Sequence, residues 1–290
     1  MAELVVSERE VESFRQDGYL MLRSVVPPDL REALERSIVQ QHAMQALKFV
    51  DLRYKLGGRR PEDFTTVEDL DEIMGLLEDH DREAAYQALW LVEASPGCRA
   101  FTAWDGFAQV SEPLLECPRE LMLVTPPAPF TNRPDSKRLL YRWHSEAGAY
   151  PKRRNFLNIW LPLFRDKRAD NGTMMLVRGS HVLEDVPFVD YRGYDKETLG
   201  AANYLVQYET PESFFQEFER VPVEAAVGDL VVFHRKMIHT STQNTTQLPS
   251  YTGVMRSWDP RGDLTISGDI QAKPYGGDLG RPGLDVIPTS

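Results

Sequence analysis

Apolar residues recur at helical spacing through the first third of the chain, then in short strand-like runs after about residue 120. Ser7 followed by Glu10 has the form of a capping box, and Val11, Phe14 and Leu20 continue the apolar pattern. Gly18 is expected to end this helix and let a strand, YLMLRSVV, begin. PPDLREALERSIVQQHAMQALKF opens with prolines and continues at helical spacing, and TVEDLDEIMGLLEDHDREAAYQALWLVEAS predicts a helical pair. The later runs are LMLVTPP, RLLYRWHSE, FLNIWLPLF, TMMLVRGSH, VPVEAAVGDLVVFH and YTGVMRSWD, set apart by Pro, Gly, Asn and Asp. Short strands with turn signals between them predict a β-sandwich or barrel. No repeat, low-complexity segment or linker divides the halves, so one domain is expected over residues 1–290. Its parts are a mostly helical 1–120, a β core over 121–260 and a C-terminal loop segment over 261–290.

Composition narrows the class. The chain has 290 residues, 42% of them hydrophobic, and 33 basic against 44 acidic groups give a net charge of −11. That balance argues against nucleic-acid and anionic-membrane partners. The start, MAELVVSEREVESF, lacks the basic and apolar regions of a signal peptide, and no run is long enough to span a membrane, so a cytoplasmic protein is expected. Cys98 and Cys117 alone make neither a disulfide framework nor a cysteine zinc site. The basic clusters in YPKRRNF and LFRDKRAD read first as solvated loops and second as anion contacts.

Candidate chemistry begins in RLLYRWHSE. Strand alternation there puts Leu140, Arg142, His144 and Glu146 on one face, so that an imidazole and a carboxylate one pleat apart can point at one ion. An Fe(II) oxygenase site needs a second imidazole. His42 and His80 fall in polar helical stretches and are expected to be exposed, and His181 ends a turn. His234 and His239 lie five apart on one predicted strand, on opposite faces, and either satisfies the geometry. His239 is favoured because it ends the apolar run, just before the polar TSTQNTT.

With these stretches together the chain resembles the phytanoyl-CoA dioxygenase family of Fe(II)/2-oxoglutarate oxygenases, over roughly residues 7–258. The resemblance is carried by VESFRQDGYLMLRSVVPPDL, WHSE, LNIWLPLFRDKRADNGTMMLVRGSH and GDLVVFHRKMIHTSTQNTT. It implies a fold that is mainly β with flanking α: a double-stranded β-helix (jelly-roll, cupin-like) core with the N-terminal helices packed outside. It also implies Fe(II), 2-oxoglutarate and O2, with His144, Glu146 and His239 as metal ligands and Ser241 as a cosubstrate contact. Two departures stand out. The carboxylate is Glu146 where Asp is commoner, which keeps an oxygen donor and argues against halogenation. The family also places an Arg about eleven residues after the distal His for the far carboxylate of 2-oxoglutarate, and that position is Ser250 here. Arg256, which shares the strand parity of Ser250, is the first substitute; Arg142 is the second, and Arg153 or Arg154 the third. Asn158 is a further candidate cosubstrate contact, and Trp160 is expected in the core wall.

The implied reaction couples decarboxylation of 2-oxoglutarate to removal of a substrate hydrogen, ending in hydroxylation, cyclisation, desaturation or epoxidation. AGAYPKRRNF and SGDIQAKPYGGDLGRPGLDVIPTS read as polar loops bearing Tyr150, Phe156 and Tyr275. They suit a small polar substrate, a saccharide or an antibiotic or secondary-metabolite intermediate, and the acidic balance favours a cationic one. The missing Arg keeps open a second class, a non-redox cupin-like isomerase or ligand-binding relative.

Overall fold

The computed structural model describes residues 4–134, 140–149, 155–187, 189–190 and 208–262. Tyr150, Arg153, Arg154, Tyr275 and most of the expected C-terminal loop segment lie outside the described residues.

Ser7 and Glu10 form the capping box at the start of α1 (Glu8–Asp17), each side chain accepting from the other's backbone N–H. Gly18 ends the helix with φ of +80°, and its carbonyl accepts the His234 N–H at 2.9 Å. A Cβ here would stand 2.3 Å from His181 Nδ1 and 2.5 Å from Met237 Cε, so both backbone conformation and space require glycine. The turn delivers β1 (Tyr19–Leu22) onto the sheet. The remaining helices of the N-terminal part are α2 (Pro28–Ala46), α3 (Val50–Lys55), α4 (Val67–His80), α5 (Arg82–Ala94), α6 (Pro96–Thr102) and α7 (Gly106–Leu115). His42, expected to be exposed, is buried in α2 instead. Its Nδ1 lies 2.7 Å from the Ile38 carbonyl, which satisfies the ring's donor without water. No helix among the described residues is long and apolar enough to cross a membrane.

The strands that follow are β2 (Leu123–Val124), β3 (Ala128–Asn132), β4 (Phe156–Leu163), β5 (Met174–Val177), β6 (Val189–Asp190), β7 (Tyr208–Glu209), β8 (Arg220–Pro222), β9 (Leu230–His234), β10 (His239–Ser241) and β11 (Ser250–Trp258). A larger antiparallel sheet has the order β1-β9-β4-β11-β2, with β3 also paired to β11. A smaller one has the order β10-β5-β8, and β6 pairs with β7. The two main sheets face each other as a jelly-roll.

Strand parity splits the larger sheet cleanly. Leu157, Ile159, Leu161 and Leu163 of β4, Leu230 and Val232 of β9, and Tyr251 and Met255 of β11 join the helices in one core. Trp160, Val231 and Phe233 point the other way, into the jelly-roll interior, against Met174 and Leu176 of β5. Burial on both sides explains why FLNIWLPL reads as a nearly unbroken apolar run. It also places Phe156 in a strand, 1% exposed, and not on a polar loop wall as expected.

Candidate metal centre

Residues 140–146 do not form the predicted strand. His144 makes a single antiparallel bridge to His239, with N–H to carbonyl distances of 3.0 and 2.9 Å, and the chain then turns into α8 (Glu146–Ala149). Helix-forming Glu146 and Ala147 follow Ser145 directly, and the Ala147 N–H is held by the Arg235 carbonyl at 3.1 Å. Glu146 is therefore aimed by a helical turn and not by the pleat of the expected strand.

The bridge brings the His144 and His239 rings to a centroid distance of 4.2 Å. Each ring is oriented in the same way: Nδ1 of His144 lies 2.6 Å from the Arg142 carbonyl, and Nδ1 of His239 lies 3.0 Å from the Met237 carbonyl. A carbonyl only accepts, so the proton sits on Nδ1 and the Nε2 lone pair is left for a ligand. Donor atoms of His144, Glu146 and His239 all lie within 4.8 Å of one another, and both histidines are buried. Burial lowers the His144 pKa and pushes that of His239 down to about 3, so both rings are neutral at neutral pH. Burial alone would raise the Glu146 carboxyl, but the charge and hydrogen bond of Arg256 lead the effects that outweigh it and hold the pKa below the usual carboxylate range. Two neutral imidazoles and one carboxylate form a donor set of charge −1 that fits a divalent iron.

Arg256 Nη2 lies 3.0 Å from Glu146 Oε2. The Arg256 backbone is fixed by Thr125, which accepts its N–H through Oγ1 at 2.8 Å and donates its own N–H to the Arg256 carbonyl at 2.9 Å. Across the sheet Arg256 registers with Asn158, and Asn158 with Phe233, whose ring lies 5.0 Å from that of His239. Asn158 is 1% exposed, and among the described residues neither its Oδ1 nor its Nδ2 has a hydrogen-bond partner. An amide orphaned on the interior face beside the triad fits a site that takes a polar molecule. Ser241 lies two residues beyond His239 on the same face of β10, paired with Met174. Arg142 is ion-paired with Glu209, and its carbonyl serves His144. Trp160 is in the interior core. His234 and His181 are apart from the cluster, their rings 5.5 Å from each other, with His181 Nε2 3.1 Å from the Arg15 carbonyl.

LFRDKRAD reads from sequence first as a solvated loop and second as an anion contact, with no single residue of it marked. Arg165 is paired with Asp71, but Lys167 is buried, with Nζ 2.7 Å from Ser250 Oγ. Nothing in a run of alternating charges marks which one turns inward.

A cleft of about 210 Å³ opens beside His144, with Ser145, Thr210, Asp185, Arg235 and Lys236 in its lining.

Comparison with known proteins places this arrangement. A family model described as phytanoyl-CoA dioxygenase (PhyH) matches residues 14–249. A Caenorhabditis elegans protein named "Probable phytanoyl-CoA dioxygenase" is 24% identical over 248 residues, covering 84% of this chain and 72% of the relative. Among solved structures, the non-heme alpha ketoglutarate dependent carbocyclase SnoK from nogalamycin biosynthesis superposes with a TM-score of 0.57 at 17% identity, covering 95% of each chain. EctD from S. alaskensis in its apoform gives 0.55 at 14% identity, covering 91% of this chain and 81% of the other. At these identities the structural likeness speaks for the jelly-roll fold. The match over residues 14–249 speaks for descent: the chain belongs to the phytanoyl-CoA dioxygenase family, the Fe(II)/2-oxoglutarate-dependent dioxygenases.

Proposed function

We propose that His144, Glu146 and His239 hold the iron, and that the cleft beside His144 admits a saccharide or an antibiotic or other secondary-metabolite intermediate. The enzyme hydroxylates or oxidatively cyclises it, with succinate and CO2 as coproducts. The observation that carries the reading is the convergence of three donors within 4.8 Å, with both imidazoles turned so that Nε2 is available. Iron with 2-oxoglutarate and O2 supplies the oxidising chemistry. The chain's own residues do the rest. The Arg142 and Met237 carbonyls set the two rings, and Arg256 fixes the Glu146 carboxylate and keeps it ionised. The Asn158 amide and the Ser241 hydroxyl offer cosubstrate contacts on the interior face.

The substrate class rests on the small cleft, where Ser145, Asp185, Thr210, Arg235 and Lys236 stand among apolar Ala147, Leu183 and Val186, and on neighbours of the same fold whose names connect them with nogalamycin. Its described lining carries two cations, Arg235 and Lys236, against one carboxylate, Asp185. Local charge thus runs against the overall −11, and a neutral hydroxyl-rich or acidic substrate suits it better than a cationic one. A single cytoplasmic oxygenase unit over residues 1–290 is part of this reading, and the two buried free thiols, Cys98 and Cys117, accord with a reducing compartment.

Anaerobic protein given Fe(II) and 2-oxoglutarate should develop the visible charge-transfer band of the chelate, then form succinate when O2 and glycosylated candidates are added. His144→Ala and His239→Ala should each abolish iron binding while His234→Ala leaves it intact. Loss of iron from the His234 variant alone would sink the ligand assignment.

A further inference from the structure

We infer that Lys167 holds the distal carboxylate of 2-oxoglutarate, in place of the arginine that position 250 lacks. The inference deepens the oxygenase reading and rests on it. Ser250 opens β11 on the interior face, the face that also carries Thr252, Val254 and Arg256. Its side chain is too short to bring a charge there. Instead its Oγ donates to the Asn171 carbonyl at 2.5 Å and accepts from Lys167 Nζ at 2.7 Å. The cation that residue 250 does not carry is thus delivered to the same spot from the loop between β4 and β5.

Lys167 is held in place by its backbone, which exchanges hydrogen bonds of 2.8 and 3.0 Å with Ala225. Its side chain is 1% exposed. Besides Ser250, Nζ reaches only the Gly172 carbonyl, at a long 3.4 Å, among the described residues. An ammonium has three donors, so one is left over. No carboxylate pairs with it among the described residues, in contrast to Arg165 on Asp71 and Arg168 on Asp170 in the same run. A buried cation with no counter-ion is strongly disfavoured, and an arriving carboxylate relieves that penalty. Burial pushes this amine down to about 7, the signature of a missing anion.

Leu176 is the partner of His239 across β10 and β5, and Gly172 lies four residues before it, in the turn that leads into β5. Ser241 lies between these levels, on the same face as His239. Arg256 is at the wrong end for this task, since its guanidinium lies on the ligand Glu146 itself.

The test titrates anaerobic, Fe(II)-loaded protein with 2-oxoglutarate and, separately, with 2-oxobutyrate, which keeps the keto acid but lacks the distal carboxylate. The charge-transfer band gives both affinities, and metal analysis gives iron occupancy. Lys167→Met should weaken 2-oxoglutarate about thirtyfold or more. Its iron occupancy and its affinity for 2-oxobutyrate should stay at the wild-type values. Lys167→Gln, which keeps a donor for Ser250 without the charge, serves the same purpose if the Met variant does not fold. Undiminished preference for 2-oxoglutarate in these variants overturns the inference, as does loss of that preference in Arg256→Met alone. If wild-type protein binds iron but chelates neither acid, the oxygenase reading fails, and Lys167 loses its role with it.

Discussion

The two faces of the larger sheet are built from the same strands and do different work. On the helix side, β4 and β11 contribute Leu157, Ile159, Leu161, Tyr251 and Met255 to a continuous apolar core. On the interior side, alternate positions of the same strands carry Asn158, Ser250, Thr252 and Arg256. Asn158 and Ser250 are buried as deeply as the leucines, and the Asn158 amide has no hydrogen-bond partner among the described residues. A sheet sealed on both sides would be most stable with apolar residues throughout. Its polar inner face is therefore the part shaped for a ligand.

Substitutions on the two faces should separate stability from chemistry. The largest effect belongs to the interior: His239→Ala should reduce succinate formation to background while the thermal midpoint stays within a few degrees of wild type. Next comes the helix side, where Leu161→Ala should cost about 2–5 kcal/mol in urea unfolding. Iron affinity of the folded Leu161→Ala protein should be unchanged, and a weakened iron site would show that the faces are coupled. Arg256→Met removes the partner that holds the Glu146 carboxyl low. Its iron affinity should fall about 10–100-fold at mildly acidic pH. Proton competition explains the direction, since a carboxyl freed to rise keeps its proton to higher pH, and the loss should shrink as pH increases.

The smallest effect tests a polar group on the helix side. Buried His42 has its pKa pushed down from 6.5 to about 4, so below pH 6.5 the unfolded chain takes up a proton that the folded one refuses. Stability from this group is complete above pH 6.5 and is lost as pH falls towards about 4. Between pH 6.5 and about pH 5 that loss is about 2 kcal/mol, and His42→Leu should flatten the acid limb of the unfolding curve by that amount. Turnover per folded molecule should not change, in keeping with a group that faces the helices.

Parity, capping and turn chemistry made much of this architecture legible. Ser7, Glu10 and Gly18 marked α1 to the residue because caps are local, and FLNIWLPLF read as a strand-like run, although its burial on both faces emerges only with the packed sheets. The three donors were legible as types at a spacing, although the element beneath two of them was not. A single backbone bridge at His144 and the turn of α8 are decided by contacts with β10 and Arg235, far away in sequence. The burial of His42 and Lys167 was hidden for a similar reason. Polar neighbours along the chain suggested exposure, and only the packing of α2, and the pairing of residue 167 with Ala225, reverse that.

The His144–His239 bridge has a consequence for exchange kinetics. Beyond it, the Ser241 N–H reaches the Tyr141 carbonyl at 3.3 Å, so a metal held by both side chains also cross-links two pieces of chain that only a short stretch of backbone pairing joins. Bound iron then stabilises the closed segment by mass action. Removing it with a chelator should speed hydrogen–deuterium exchange first at the amides of His144 and Ala147, while amides in the middle of β4 keep their protection. The ion that equips the protein for oxidation would thus also act as the fastener of its own binding segment.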